Sequence, residues 1–387
     1  MIETNFRNTE IGLIPADWTI KAIGDIANIV NGSTPSTDHP EYYGHDYQFV
    51  SPYDLGDNKY VLEATKKLSA LGLSISRQIP KGSIMYTCTG STIGKLGIAS
   101  KLMTTNQQIN SILPNKSYST DYLFYAIQTR KDDVRKRAAV QAVPLINKRN
   151  FSKTQVAFPP EETREQERIA SALSDIDSLI STLEKLIEKK RNIKQGAMQE
   201  LLTGNKRTSG FSKPWESIPL EEILRYEQPT PYLVNSKNYS EFGTPVLTAG
   251  KTFVLGYTSE KEGVYTDLPV IIFDDFVTES KYVDFRFKAK SSAMKMLHLR
   301  NDKHNLRFIY EIMQLILFYA PEHKRYWISR YSKIKVMVPE KEEQDAIVGI
   351  LSDMDAEIIA LAGKLEKYQS IKQGMMQQLL TGKIRLI

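Results

Sequence analysis

Two stretches of the chain are copies of one another: EQERIASALSDIDSLISTLEKLIEKKRNIKQGAMQELLTGNKR at 165–207 and EQDAIVGILSDMDAEIIALAGKLEKYQSIKQGMMQQLLTGKIR at 343–385. They align without a gap, and about half of their positions are identical, a self-similarity that organises everything around it. Each copy follows a proline, Pro160 or Pro339, and an acidic stretch suited to a helix N-terminus. In the first copy Ile169, Leu173, Ile176, Ile180, Leu183 and Ile187 step by four and three. Ile347, Leu351, Met354, Ile358, Leu361, Leu365 and Tyr368 do the same in the second. That spacing predicts a heptad seam on each of two helices, ending near Thr203-Gly204 and Thr381-Gly382 with glycine as the stop. Some 40 residues of helix span about 60 Å.

A weaker repeat opens each half. Trp18, Ile23, Asp25 and Ile26 share their spacing with Trp215, Leu220, Glu222 and Ile223, and a polar linker, Asn205 to Lys213, precedes Trp215. The expected order is a globular unit at 1–162, a long helix at 163–204, a second unit with its linker at 205–340 and a second long helix at 341–387. The variable units read as mixed α/β. Strand-like runs are Gly82 to Thr87, Pro269 to Phe273 and Tyr282 to Phe287; helical runs are Asp121 to Gln128 and Leu306 to Tyr319. The fold class is α+β, with the two long helices pairing as an antiparallel intramolecular coiled coil of pseudo-two-fold form. Such a duplication makes one binding surface twice and can seat two copies of one partner.

At 387 residues the chain is long enough for two cores. A net charge of +6 and a pI near 9.0 push mildly toward polyanions. Cys88 is the only cysteine, which excludes an intramolecular disulfide and a cysteine-based zinc site and suits a reducing cytoplasm. Met1 to Arg7 lack the basic-then-apolar pattern of a signal peptide. The most apolar helical run, Phe308 to Ala320, is too short to span a bilayer and reads as a buried core helix, so no membrane role is expected.

Polar and basic clusters recur in both units. The first carries Ser33 and Thr34, the run Gly90 to Lys95 with Ser91, Thr92 and Lys95, then Asn106 and Gln107, the basic run Arg130 to Arg137, and Lys148 with Arg149. In the second are Lys251, Thr278, Lys281, Lys290, Ser291 and Ser292, then Arg325 and Arg330. Lys and Arg neutralise phosphates, Ser and Thr position them, and Asn, Gln and Arg read base edges. Gly90 to Lys95 is one residue short of a phosphate loop, and Leu96 stands where such a loop needs Ser or Thr. Ser51-Pro52-Tyr53 resembles the tetrapeptide of amino-methyltransferases without its second proline. Asp274, Asp275, Glu279 and Lys281 resemble a nuclease cluster that would hold Mg²⁺, but the acids lie too close in sequence for the usual two-strand arrangement. The five histidines show no metal-ligand spacing. Neither cofactor nor metal is expected.

The Pro-x-x-x-x-Gln starts and the Ile-Lys-Gln-Gly to Leu-Leu-Thr-Gly ends resemble the specificity subunit of type I restriction–modification systems. So do Tyr226-Glu227-Gln228-Pro229, Phe273-Asp274-Asp275-Phe276, Asn31-Gly32-Ser33-Thr34-Pro35 and Thr105-Asn106-Gln107-Gln108. One departure is that five residues separate Pro160 from Gln166 and four separate Pro339 from Gln344. The resemblance implies a DNA-binding subunit that is not itself catalytic. Each unit would be a target recognition domain for one half of a split double-stranded DNA sequence. The helices would hold the half-sites apart and seat two methyltransferase subunits, joined by motor-nuclease subunits. The competing readings are a Mg²⁺-dependent endonuclease and a coiled-coil scaffold that does not touch DNA.

Overall fold

The computed structural model describes residues 5–56, 58–138, 144–236, 238–250, 252–319 and 325–387. The chain forms two compact units. Unit 1 is Met1–Leu183 together with Lys364–Ile387, and unit 2 is Glu184–Gly363. The repeated stretches are single helices, Glu165–Leu202 and Lys341–Leu379, and each contributes one half to each unit.

Unit 1 holds a five-stranded mixed sheet ordered Ile29–Asn31, Ile109–Ile112, Ile84–Thr87, Leu96–Ala99, Tyr60–Val61. A four-stranded sheet of Lys66–Leu68, Tyr43–Val50, Met103–Thr105 and Gln78–Ile79 lies beside it. The central strands are buried on both faces, so their sequences show no apolar–polar alternation. The pleat sorts their side chains. Ile84, Tyr86, Ile98 and Ile112 join a core with the helix Thr120–Thr129, while Met85, Ala99 and Ile109 join a second core with Val50, Ile79 and Met103. Leu379 and Leu380, from the end of the second long helix, complete the first core.

Unit 2 repeats the plan with fewer strands. Its four-stranded sheet runs Leu224–Glu227, Met294–Leu299, Val270–Asp274, Ser280–Val283, beside a three-stranded one of Val254–Thr258, Thr244–Leu247 and Lys288–Ala289. Ile271, Phe273 and Leu297 face the helix Leu306–Leu315, and Val270, Ile272 and Met296 face the other way. The expected run Leu306 to Tyr319 is helical only to Leu315. Beyond it the backbone leaves the helix, placing Phe318 against the rings of Tyr326 and Tyr331 at 5.3 and 5.4 Å and leaving Leu317 and Tyr319 exposed. The expected buried core helix is therefore shorter than the apolar run. The strand expected over Tyr282 to Phe287 ends at Val283.

Within each unit the two half-helices run antiparallel, locked by the same contacts displaced by one repeat. In unit 1 Arg385 reaches Glu165 at 2.9 Å and Lys372 reaches Asp177 at 2.5 Å. In unit 2 Arg207 reaches Glu343 at 2.7 Å and Lys194 reaches Asp355 at 2.6 Å. Both arginines stack on the opening tryptophan, Arg385 on Trp18 at 5.8 Å and Arg207 on Trp215 at 5.7 Å. Both helices stop before a left-handed glycine, Gly204 at φ 75° and Gly382 at φ 66°. At each of these glycines the backbone passes against the tryptophan ring. The seam residues are buried or half-buried as the heptad spacing requires. The extra residue after Pro160 is absorbed by a short turn, Glu161–Thr163, and by Arg164 in the left-handed region at φ 51°. The functional register is thereby preserved. Gln166 accepts from Ser119 N (3.1 Å) and Gln344 from Asn305 N (2.9 Å), each at the start of its unit's core helix.

Candidate nucleic-acid interface

In unit 1 the strand directions gather loops from distant parts of the sequence. Ile109↔Thr87, Leu96↔Tyr86 and Asn110↔Asn31 are antiparallel neighbours, so the connections after Asn31, after Thr87 and before Ile109 leave the same sheet edge. The parallel pair Thr105↔Val50 brings the end of Tyr43–Val50 there too. Ser33 N donates to Thr105 O (2.9 Å), and the Thr34 hydroxyl donates to the Gln107 side chain. Gly32 is required by this approach, because a Cβ there would lie 2.1 Å from Asn106 O. Thr34, Ser91 and Gln107 are exposed, and Thr92, Lys95 and Asn106 are half-buried. Arg135, from the basic helix Lys131–Lys136, donates to Ser91 O at 3.0 Å.

Ser33 stands at this edge, but its Oγ is occupied by Arg77 N at 2.7 Å. Two expected residues do not join it. Lys148 lines an open cleft with Asp25, Asn28, Asn115 and Lys153, where Asn28 and Asn115 mark the opposite ends of the same strands. Arg149 is exposed on the same short helix, Lys148–Ser152.

Unit 2 builds the matching edge. The connection Asp275–Glu279, the run Lys290–Ala293 and the turn after Leu247 leave one end of its sheets, since Asp274↔Met294 and Leu247↔Ala289 are paired. Tyr326 N donates to Asp275 O (2.9 Å), which carries exposed Arg325 and Arg330 toward the same loops. Thr278 is half-buried in the left-handed region at φ 59°. Ser292 is exposed, Ser291 Oγ accepts from Ala293 N (3.1 Å), and Lys290 lies 5.4 Å over the ring of Tyr239. Lys281 is half-buried within its strand, opposite Ile272. Lys251 lies outside the described residues.

Two of the three carboxylates considered for nuclease chemistry, Asp274 and Asp275, are occupied by the fold. Asp275 is buried, 3.3 Å from the equally buried Lys295, and accepts from Trp327 N at 2.7 Å. The Asp274 carboxylate closes its own turn through Phe276 N (2.8 Å) and Val277 N (3.1 Å). Sequence reasoning missed Lys295, because nothing marks a lysine in an apolar strand as the partner of an aspartate 20 residues earlier. Among the described residues no group of three or more His, Cys, Asp or Glu side chains could hold a metal ion, and no helix is long and apolar enough to cross a membrane.

The arrangement defines a class of molecule: two equivalent units, each presenting a polar and basic loop edge, built on one duplicated helical frame. Known proteins of this kind match. The family model for the type I restriction modification DNA specificity domain matches twice, at residues 15–195 and 212–373. The type I restriction enzyme EcoR124I/EcoR124II specificity subunit of Escherichia coli is 47% identical over 163 residues, covering 41% of this chain and 40% of that one. The MjaIX specificity subunit of Methanocaldococcus jannaschii is 30% identical over 243 residues, covering 58% and 56%. The matches thus span about half the length of these two relatives, or less. The MjaVIII specificity subunit of the same organism aligns over 99% of this chain and 97% of its own at 26% identity. In fold, the S subunit of a type I restriction–modification system from M. genitalium superposes with a TM-score of 0.64 at 15% identity, covering 98% of this chain and 97% of that one. The chain belongs to the family of type I restriction–modification DNA specificity subunits.

Proposed function

We propose that each unit reads one half of a bipartite duplex DNA target through its loop edge, and that the chain itself performs no chemistry. One observation carries this: in each unit, chain segments far apart in sequence deliver hydroxyl, amide and cationic side chains to the same end of one sheet. Cations and hydroxyls suit phosphates, while Asn106, Gln107 and Arg325 are of the types that read base edges. On this reading the recognition domains are residues 1–162 and 205–340, and the helices at 163–204 and 341–387 are their frame.

We further infer that the helices seat two methyltransferase subunits, to which motor-nuclease subunits are added, in the cytoplasm where the DNA lies. The repeated Ile-Lys-Gln-Gly strings support the duplication of that seat. Ile193 and Ile371 are exposed, and a Cβ at Gly196 or Gly374 would meet nothing within 4 Å. Glycine in a helix interior costs about 1 kcal/mol relative to alanine, so its presence in both copies at an open surface suits close approach by a partner backbone.

The test is to sequence methylated bases in cells carrying the chain with its methyltransferase. A split motif is expected, with Asn106→Ala altering one half and Arg325→Ala the other. A continuous motif, or an Asn106 variant that alters both halves, overturns the reading. Gly196→Ala should leave the chain as stable or more so while weakening assembly; unchanged assembly would remove the seat.

A further inference from the structure

Tyr53 belongs to the Ser51-Pro52-Tyr53 motif, which no part of the frame explains. Its ring is 85% exposed, yet the turn that carries it is tightly built. The Asp54 carboxylate accepts from Ser51 N (2.8 Å), Ser51 Oγ (2.7 Å), Thr65 N (2.8 Å) and Thr65 Oγ1 (2.6 Å). Burial pushes this carboxyl up, and the hydrogen bonds from Thr65 and Ser51 outweigh it, so the group titrates below its ordinary value. Pro52 is buried and presets the backbone of the turn. The ring is therefore held out on a fixed post.

The post stands among the loop-edge residues. Asn106 N donates to Val50 O at 3.0 Å, immediately before the motif. Gly56, just after it, lies under the stem of Lys95, so that a Cβ there would meet Lys95 Cγ at 3.3 Å. Asn106, a residue of base-reading type, and Lys95, a cation able to neutralise phosphate, thus flank the turn that bears the ring. The matching turn of unit 2 holds its ring, Phe253, half-buried and packed against Phe285 at 6.2 Å rather than out in solvent. It closes on itself, with Thr248 N donating to Phe253 O (3.0 Å) and Thr248 Oγ1 accepting from Gly250 N (3.1 Å).

We propose that Tyr53 is a specificity-determining contact, its ring packing against the bases of the duplex half-site read by unit 1. Aromatic rings make this contact against a thymine methyl or against a partly unstacked base step. The inference rests on the loop edge being the DNA surface, and it explains why one frame position differs in the two readers.

The experiment uses the full chain assembled with its methyltransferase, and duplexes carrying the methylated motif or single changes in either half. Tyr53→Ala should weaken binding to the motif about tenfold and flatten discrimination in the first half alone, while Tyr53→Phe stays within about twofold of the parent. Three results overturn it. Tyr53→Ala could bind like the parent while Asn106→Ala weakens, which removes the ring contact and keeps the DNA edge. Tyr53→Ala could impair assembly with the methyltransferase, which makes the ring a protein contact. Or Tyr53→Ala, Asn106→Ala and Lys95→Ala could all bind like the parent, in which case the DNA edge itself falls with the inference.

Discussion

Directly behind the loop edge the two units solve one problem in two ways. Unit 1 places Cys88 beside Asn110, with Asn110 Nδ2 donating to Sγ at 3.0 Å. At the equivalent positions unit 2 places Asp275 and Lys295, an ion pair buried on both sides. The backbone around them is the same. Cys88 N donates to Gln108 O (2.9 Å) as Asp275 N does to Ala293 O (3.1 Å), and Cys88 O accepts from Ile146 N as Asp275 O does from Tyr326 N, both at 2.9 Å. Main-chain bonds define this frame, and side chains behind it are free to vary in charge provided that they remain paired. Asp275 adds one bond that Cys88 lacks, to Trp327 N. A carboxylate that reads in sequence as catalytic is thus a brace for the segment bearing Arg325 and Arg330.

The comparison is broken most severely by unpairing unit 2. Asp275→Asn or Lys295→Met should destabilise by about 3–5 kcal/mol, since each strands one buried charge. Asn110→Ala in unit 1 should cost about 1–3 kcal/mol, the loss of a neutral bond. Denaturant unfolding measures both. The double variant Asp275→Cys with Lys295→Asn imports the neutral pair and should recover most of the loss; failure to recover would mean that the positions are not equivalent.

Next in size are the clasps. Glu165→Gln and Glu343→Gln should cost similar amounts, about 1.5–3 kcal/mol each, because each carboxylate holds an arginine in the same geometry. For Glu343 burial pushes the pKa up, but the Arg207 hydrogen bond and charge outweigh it and the carboxyl is lowered. The unfolded chain then binds the proton more readily, so this stabilisation is present above the ordinary glutamate range and is lost as pH falls through the folded value. Glu343→Gln should flatten that acid limb in a pH series of melting curves.

Recognition should show an effect of about 1–3 kcal/mol per base-reading residue, confined to one half of the target: Gln107→Ala for one, Arg325→Ala for the other. Binding to duplexes mutated in each half sharpens or breaks the separation. The smallest effect concerns the connection after the central strand. Unit 1 turns with glycines at positive φ, Gly90 at 68° and Gly94 at 96°, whereas unit 2 uses Thr278 at 59°. Thr278→Gly relieves about 1–2 kcal/mol of strain and adds about 0.5–1 kcal/mol of backbone entropy cost, so stability should rise by no more than about 1.5 kcal/mol.

The helices were legible because their signals are local and periodic: two matching seams, and a glycine that must turn left-handed after each. The pairing of Trp18 with the end of the second long helix was legible only as a spacing shared with Trp215. The loop edge was not legible, since Asn31, Thr87, Thr105 and Ile109 meet through strand order, which composition does not encode. Lys148 scored as well as Lys95 on residue type, and it lies over a different cleft. The helix after Leu306 was overread because apolarity continues past Leu315, where Phe318 leaves to meet other rings. An insertion after Leu202 would fall at the helix end beside Gly204 and Arg207 and should disturb the clasp on Glu343.

The sharing of each long helix between units also sets an order of events during synthesis. Unit 2 is one uninterrupted stretch, Glu184–Gly363, and has its whole core once Gly363 is free of the ribosome. Unit 1 begins earlier but stays open, because Leu379, Leu380 and Arg385 close its core and its clasp. The half made first is therefore finished last, with contacts of very long sequence separation and a correspondingly slow closing step. Until that step the part of the first core that Leu379 and Leu380 complete stays open.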